Sequence, residues 1–228
     1  MQQWFYKQGN KDVFSFNQWL FISCSFSFLL LTGRVAATGS LTYVFLLWNL
    51  FLAFIPYGIT CWLSGNIRVI ENKAWLALAL LLWLLFIPNS FYILTDLFHL
   101  RNIRSAPRWF DLLLLLSFAW NGLVLGIVSV RRAEIILEMV FSKSFSLFML
   151  FVVMWLNALG IYIGRFLRYN SWDVVAQPFS LFMDMFDMIL HPLASLSEWV
   201  MIACYALFMT LLYITVRKLS ESFADRQH

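Results

Sequence analysis

Six runs of about 20 mostly apolar residues constrain this chain more than any other feature. They are Val13 to Leu31, Leu41 to Leu63, Ala74 to Leu94, Phe110 to Val130, Phe145 to Phe166, and Glu198 to Val216. A helix rising 1.5 Å per residue needs about 20 residues to cross a hydrocarbon core of about 30 Å. In lipid the backbone must satisfy its own polar groups, so such runs are helices. None has the short alternating pattern of a barrel strand. The expectation is an all-α integral membrane bundle of about six transmembrane helices.

Composition agrees. The chain is 62% hydrophobic and 12% charged, about half the 25% charge of ordinary soluble domains. A soluble enzyme, a nucleic-acid binder and a disordered linker are excluded. The longest stretch between runs, 167–197, is too short for a soluble domain of about 50 residues. Residues 1–228 are therefore expected to form a single transmembrane domain with no soluble domain. Chemistry is expected in the membrane or at its surface.

The first run follows Lys7 and Lys11 in the manner of a signal peptide. It is long, however, and Arg34 stands where a cleavage region should be neutral, so it reads as a retained span. Val35-Ala36-Ala37 leaves cleavage open. With six spans both termini share one side. Lys7, Lys11, Arg68, Lys73, Arg131, Arg132, Lys143, Arg217, Lys218 and Arg226 fall there. Arg34, Arg101, Arg104, Arg108, Arg165 and Arg168 fall opposite, a split of ten against six. The positive-inside rule places both termini in the cytoplasm. All five lysines are inside and every outer cation is Arg, the better residue for holding an anion in a fixed fork. Contact with lipid headgroups is the plainer use of those arginines. The basic pI of 9.1 follows from topology, and no nucleic acid is expected as a partner. Cys24, Cys61 and Cys204 lie within spans without metal spacing and read as small packing residues.

Polar residues cluster in the outer halves of the spans. Asn89, Tyr92, Asp96 and His99 lie at offsets 0, 3, 7 and 10 after Pro88. On a helix continuing past that proline they share one stripe, with Phe91, Leu94 and Phe98 turned away. Pro88 removes one backbone hydrogen bond below the stripe. The second span has Asn49 in its outer half. The fourth has Asp111 at its outer end and Asn121 near its middle. The fifth places Asn157, Gly160, Gly164 and Arg168 on one face, beside Arg165. Gly122 with Gly126, and Gly160 with Gly164, are G-x-x-x-G pairs that let helices approach closely. A buried Asp or Arg costs about 2.5–3.5 kcal/mol on insertion scales, so the clustering points to a polar cavity opening outward.

After the fifth span, Asn170 or Ser171 is placed to cap a helix near Trp172. Val174 to Leu190 reads as an interfacial helix. Its Asp184, Asp187 and His191 suit the polar edge of that helix better than a metal site, and no metal is assigned. Asp96 and His99 form a candidate catalytic acid/base pair, with Asp96 orienting the imidazole and favouring its protonated form. Asp-x-x-His also offers two metal ligands, with Asp173 as a third. A structural network linking spans is the alternative use. Candidate ligand-binding residues are Asn89, Tyr92, Asp111, Asn121, Arg165, Arg168, Asn170, Trp172 and Asp173.

Pro88-Asn89 through Asp96-Leu97-Phe98-His99, then Asn121-Gly122, Gly164-Arg165-Phe166-Leu167-Arg168 and Asn170-Ser171-Trp172-Asp173, resemble the bacterial membrane-protein family called domain of unknown function 1361. The resemblance runs from about the second span to the sixth. That family often has proline where this chain has Phe91. The resemblance implies the membrane class and carries no activity, cofactor or site assignment.

Three function classes remain. One is an enzyme acting on an anionic headgroup or lipid-linked substrate, with Asp96 and His99 as acid and base and Arg165 and Arg168 holding the anion. Another is a small-solute transporter, against which the apolar inner halves and the lack of a clear inverted repeat both argue. The third is an accessory subunit whose polar residues pack helices or dock a partner. No nucleotide loop, H-E-x-x-H or nucleophile elbow is present.

Overall fold

The computed structural model describes residues 15–101 and 106–225. Lys7, Lys11, Arg104 and Arg226 of the charge count, and the start of the first run at Val13, lie outside them. The described residues form helices α1 (Phe16–Thr38), α2 (Phe45–Gly65), α3 (Ile67–Glu71), α4 (Lys73–Tyr92), a 3₁₀ segment (Ile93–Arg101), α5 (Arg108–Val140), α6 (Lys143–Arg165), α7 (Asp173–Ala176), α8 (Pro178–Leu190) and α9 (Leu196–Asp225). No strand occurs among them. Six helices are long and apolar enough to cross a membrane: α1, α2, α4 with its 3₁₀ extension, α5, α6 and α9.

Helix α5 is the centre. Its most apolar stretch is 56% buried, against 22% for α1 and for α9. On one side α1 and α2 pack on it through Leu31, Leu46, Ala53, Leu115 and Phe118. On the other, α4, α6 and α9 close around Trp83, Phe91, Met154, Ile161 and Tyr213. A spine so placed is surrounded by protein, and it carries buried polar residues along its length. Together they reach four neighbours, α1, α2, α4 and α9. Arg34 Nε on α1 donates to Asp111 Oδ1 at 2.7 Å and its Nη2 to Oδ2 at 3.4 Å. Asn121 Nδ2 donates to Ser27 Oγ at 2.9 Å and to the Ser23 carbonyl at 3.3 Å. Trp83 Nε1 on α4 donates to Ser129 Oγ at 2.8 Å, which also meets Thr60 of α2 at 3.3 Å. Glu134 accepts from Arg131, from Tyr213 and from Arg217 of α9. In lipid a polar group is tolerated where another helix satisfies it, and here the satisfied groups also join the helices.

Two sequence boundaries are corrected by these contacts. Arg34, read as an outer loop cation, lies inside α1 and is 1% exposed. Its guanidinium meets Asp111 and stacks 4.5 Å from the centre of the Tyr43 ring, so α1 runs on to Thr38. It stops at Gly39, whose left-handed backbone (φ 63°) lets its N–H return to the Val35 carbonyl at 2.8 Å. The hydropathy of the sequence ends the fourth span at Val130. Instead α5 continues through Arg131, Arg132 and Glu134, because α9 takes up the Glu134 charge.

The C-terminal half of α4 is gripped between two glycine faces. A Cβ on Gly122 would lie 2.3 Å from Ile93 Cγ2 and 2.9 Å from the Ser90 carbonyl oxygen. One on Gly126 would lie 2.9 Å from Ser90 Cβ, and one on Gly160 2.7 Å from Pro88 Cγ. Both G-x-x-x-G pairs therefore receive the same helix. The α-helix expected to continue past Pro88 holds only to Tyr92. Thr95 Oγ1 donates to the Tyr92 carbonyl at 2.7 Å, and Arg165 takes the Thr95 carbonyl at 2.9 Å. With these carbonyls engaged elsewhere, the chain tightens into a 3₁₀ run of nine residues, well beyond the usual three or four.

The expected interfacial helix from Val174 to Leu190 is two helices, α7 and α8. Pro178 starts the second, and the residue before a proline avoids the helical region. Gln177 accordingly takes φ −136°, ψ 52°.

Candidate functional site

A 3₁₀ turn has three residues, so side chains at i and i+3 eclipse. That brings Asp96 and His99 to one side of the segment. Opposite them is Arg165, in the last turn of α6. Gly164 lets α6 come this close, since a Cβ there would already lie 3.3 Å from the Tyr92 ring. Arg165 Nη1 lies 3.4 Å from Asp96 Oδ1, 3.4 Å from the Tyr92 hydroxyl and 3.2 Å from His99 Nε2. Its Nη2 donates to the Thr95 carbonyl. The guanidinium also lies over the Tyr92 and Phe98 rings, at 5.8 and 5.5 Å. The second carboxylate oxygen of Asp96 accepts from Asn49 Nδ2 at 2.7 Å. Three elements thus converge on a carboxylate that is 1% exposed.

The arrangement changes the expected relation of Asp96 and His99. No hydrogen bond joins them; Arg165 stands between. A guanidinium has only donors, so the 3.2 Å contact is a hydrogen bond only in the tautomer that leaves His99 Nε2 as the acceptor and carries the proton on Nδ1. Phe45 fixes the ring edge-on, with centroids 5.2 Å apart. In that tautomer the imidazole can take up a proton at Nε2 once the guanidinium moves off it.

The remaining candidates sort by distance from this hub. Asn89 Nδ2 donates to Ser171 Oγ at 3.0 Å, which straps the segment after α6 onto α4. Trp172 meets Trp48 of α2 edge-on at 6.2 Å. Asp173 accepts from the Asn170 N–H at 2.6 Å and from its side-chain amide at 3.2 Å, a local turn. The cap expected from Asn170 or Ser171 is not made, for Trp172 precedes α7 without a side-chain cap. Arg168 is not on the α6 face with Gly160 and Gly164, because α6 ends at Arg165. Its backbone is left-handed (φ 62°), its side chain is exposed, and it bonds to none of the hub. Asp111 and Asn121 hold α1, as described above, and do not reach Arg165. The buried amide of Asn157 has no hydrogen-bond partner among the described residues. Among the described residues no group of three or more His, Cys, Asp or Glu is placed to hold a metal ion. On α8, Asp187 pairs with His191 at 3.0 Å, while Asp184 accepts from the Tyr169 hydroxyl at 2.9 Å and so pushes that phenol's pKa up.

Asn49 was visible in the sequence as a polar residue at the right depth, but nothing there tied it to Asp96. The Thr95 carbonyl is backbone and leaves no sequence signal. Glu134, the buried acid at the other end of the bundle, was missed among the charges that follow a span.

Six spanning-length helices and a buried ionic hub define a multi-pass helical membrane protein. The profile of a family described as a protein of unknown function (DUF1361) matches residues 48–214, and the chain belongs to that family. The match begins within α2 and takes in most of that helix, the hub and most of α9. No curated protein and no solved structure matches the chain.

Proposed function

We propose that the protein is a membrane-embedded enzyme acting on an anionic headgroup or lipid-linked substrate at the extracytoplasmic face of a bacterial plasma membrane. The observation that carries the reading is the contact of three ionisable side chains, Asp96, His99 and Arg165, inside a spanning bundle. Ionisable groups at such depth are expensive and mark functional sites by default. In this reading Arg165 swings toward the substrate anion, His99 accepts a proton at Nε2, and Asp96 stays held by Asn49 as the counter-charge. The orientation rests on the charge split. Burial of Arg34 takes it out of the outer loops, leaving five cations there against ten, which strengthens the cytoplasmic assignment of the termini.

A second reading, an accessory subunit, has its own support: Tyr92, Asp96, His99 and Thr95 already occupy Arg165 from within the protein. Incubating the purified chain in nanodiscs of bacterial lipid extract, followed by mass spectrometry of the lipids, separates the two. A lipid product that disappears in His99→Gln and Asp96→Asn, at unchanged melting temperature, supports the enzyme. Loss of folded protein in both variants, with no product from the wild type, supports the accessory role.

A further inference from the structure

Arg168 is the only non-glycine residue with positive φ among the described residues. The left-handed region costs an ordinary side chain about 1 kcal/mol that glycine avoids. Such a residue persists where its side chain does something glycine cannot. Here the side chain does nothing within the fold. It is exposed and makes no hydrogen bond or ion pair with the described residues, although the turn that carries it is well fastened. Tyr169 N–H returns to the Ile163 carbonyl at 3.2 Å, Ser171 is held by Asn89, and Trp172 abuts Trp48. A free cation is thus displayed at a set place, three residues beyond the hub arginine. The same strapped segment carries the half-exposed Trp172, set against the half-exposed Trp48 of α2; tryptophan is the amphipathic kind of ring that sits at the headgroup level of a bilayer.

We propose that Arg168 is the recognition residue for the phosphate of an anionic phospholipid, whose glycerol and acyl region lies against Trp48 and Trp172. This rests on the headgroup-directed reading of the site and names its ligand class. The fork of a guanidinium matches phosphate oxygens, and the aromatic pair supplies what a free phosphate would not use.

The test is binding of short-chain phosphatidylglycerol to the full chain in a neutral detergent. Phosphatidylcholine and inorganic phosphate serve as comparison probes, and the melting temperature of each variant is recorded. Arg168→Gly is the informative change, because it removes the cation while easing the backbone. The expected result is a loss of affinity for phosphatidylglycerol of about tenfold or more, as for one charge-assisted hydrogen-bonded contact, with a melting temperature equal to or above wild type. Trp172→Ala is expected to weaken the lipid and leave any binding of inorganic phosphate unchanged. Equal affinity in wild type and Arg168→Gly overturns the proposal, as does a lowered melting temperature in that variant. Competition by inorganic phosphate at concentrations similar to the lipid makes the ligand a soluble anion and overturns the lipid assignment. If phosphatidylglycerol binds through Arg168 but no lipid product ever forms, the catalytic reading fails and the recognition site stands.

Discussion

Replacing Gly122 by alanine tests the close packing that brings the hub together. Carbon atoms in ordinary contact lie about 3.5–4.0 Å apart. The new methyl would sit 2.3 Å from Ile93 Cγ2 and 2.9 Å from the Ser90 carbonyl oxygen. The isoleucine is β-branched, with restricted side-chain torsions, and the carbonyl is backbone, so α4 has to move. Overpacking of this kind costs about 1–3 kcal/mol. Alanine's better helix propensity returns at most about 1 kcal/mol. The net loss is up to about 2 kcal/mol, or a fall in melting temperature of up to about 8 °C for a chain of this length. Gly58 in the middle of α2 is the control, with nothing within 4 Å of its added methyl. Gly58→Ala should melt at or slightly above wild type. Both variants are purified in one detergent and followed by thermal unfolding. Equal melting temperatures for the two would refute the packing of α4 on α5. Because Ile93 opens the 3₁₀ segment, Gly122→Ala should also weaken phosphatidylglycerol binding, whereas Gly58→Ala should not.

Other perturbations probe the rest of the bundle. Asp111→Ala strips the carboxylate from a buried Arg34 and should cost about 3–5 kcal/mol, read as lost membrane abundance and lower melting temperature; Arg34→Met with Asp111→Leu should recover most of it, and a cost below about 1 kcal/mol for the single change would contradict the pairing. Glu134→Ala leaves Arg217 and Tyr213 without their buried acceptor and should loosen α9, seen as earlier proteolysis within Leu196–Asp225; an unchanged cleavage pattern would show that α9 is held elsewhere. In a cysteine-free background, Thr42→Cys should react with an impermeant maleimide in intact cells, and Ser144→Cys only after lysis. The opposite labelling would turn the hub to the cytoplasm.

The spanning helices were legible because each signal is local. A run of about 20 apolar residues can satisfy lipid only as a helix, whatever surrounds it. The closeness promised by the paired glycines was legible for the same reason, whereas the single α-helical stripe expected from Asn89 to His99 was not, because the α-helix ends at Tyr92 and the rest is a 3₁₀ run. Pairing was not local, and the sequence left it open. Asp111 and Asp96 look alike as acids at the ends of spans. Packing gave the first to Arg34 across 77 positions and the second to Arg165 across 69. Arg165 and Arg168 likewise look like neighbours on one face. The helix end at Arg165 and the left-handed turn after it put one in the hub and the other at the surface. The 3₁₀ segment followed from a carbonyl bonded by a side chain on another helix. Hydropathy is a property of each residue in its own solvent, so the chain alone determined what crosses the bilayer. Which charge meets which depends on how the helices are rotated and how deep they sit, and only the tertiary packing against α5 decided that.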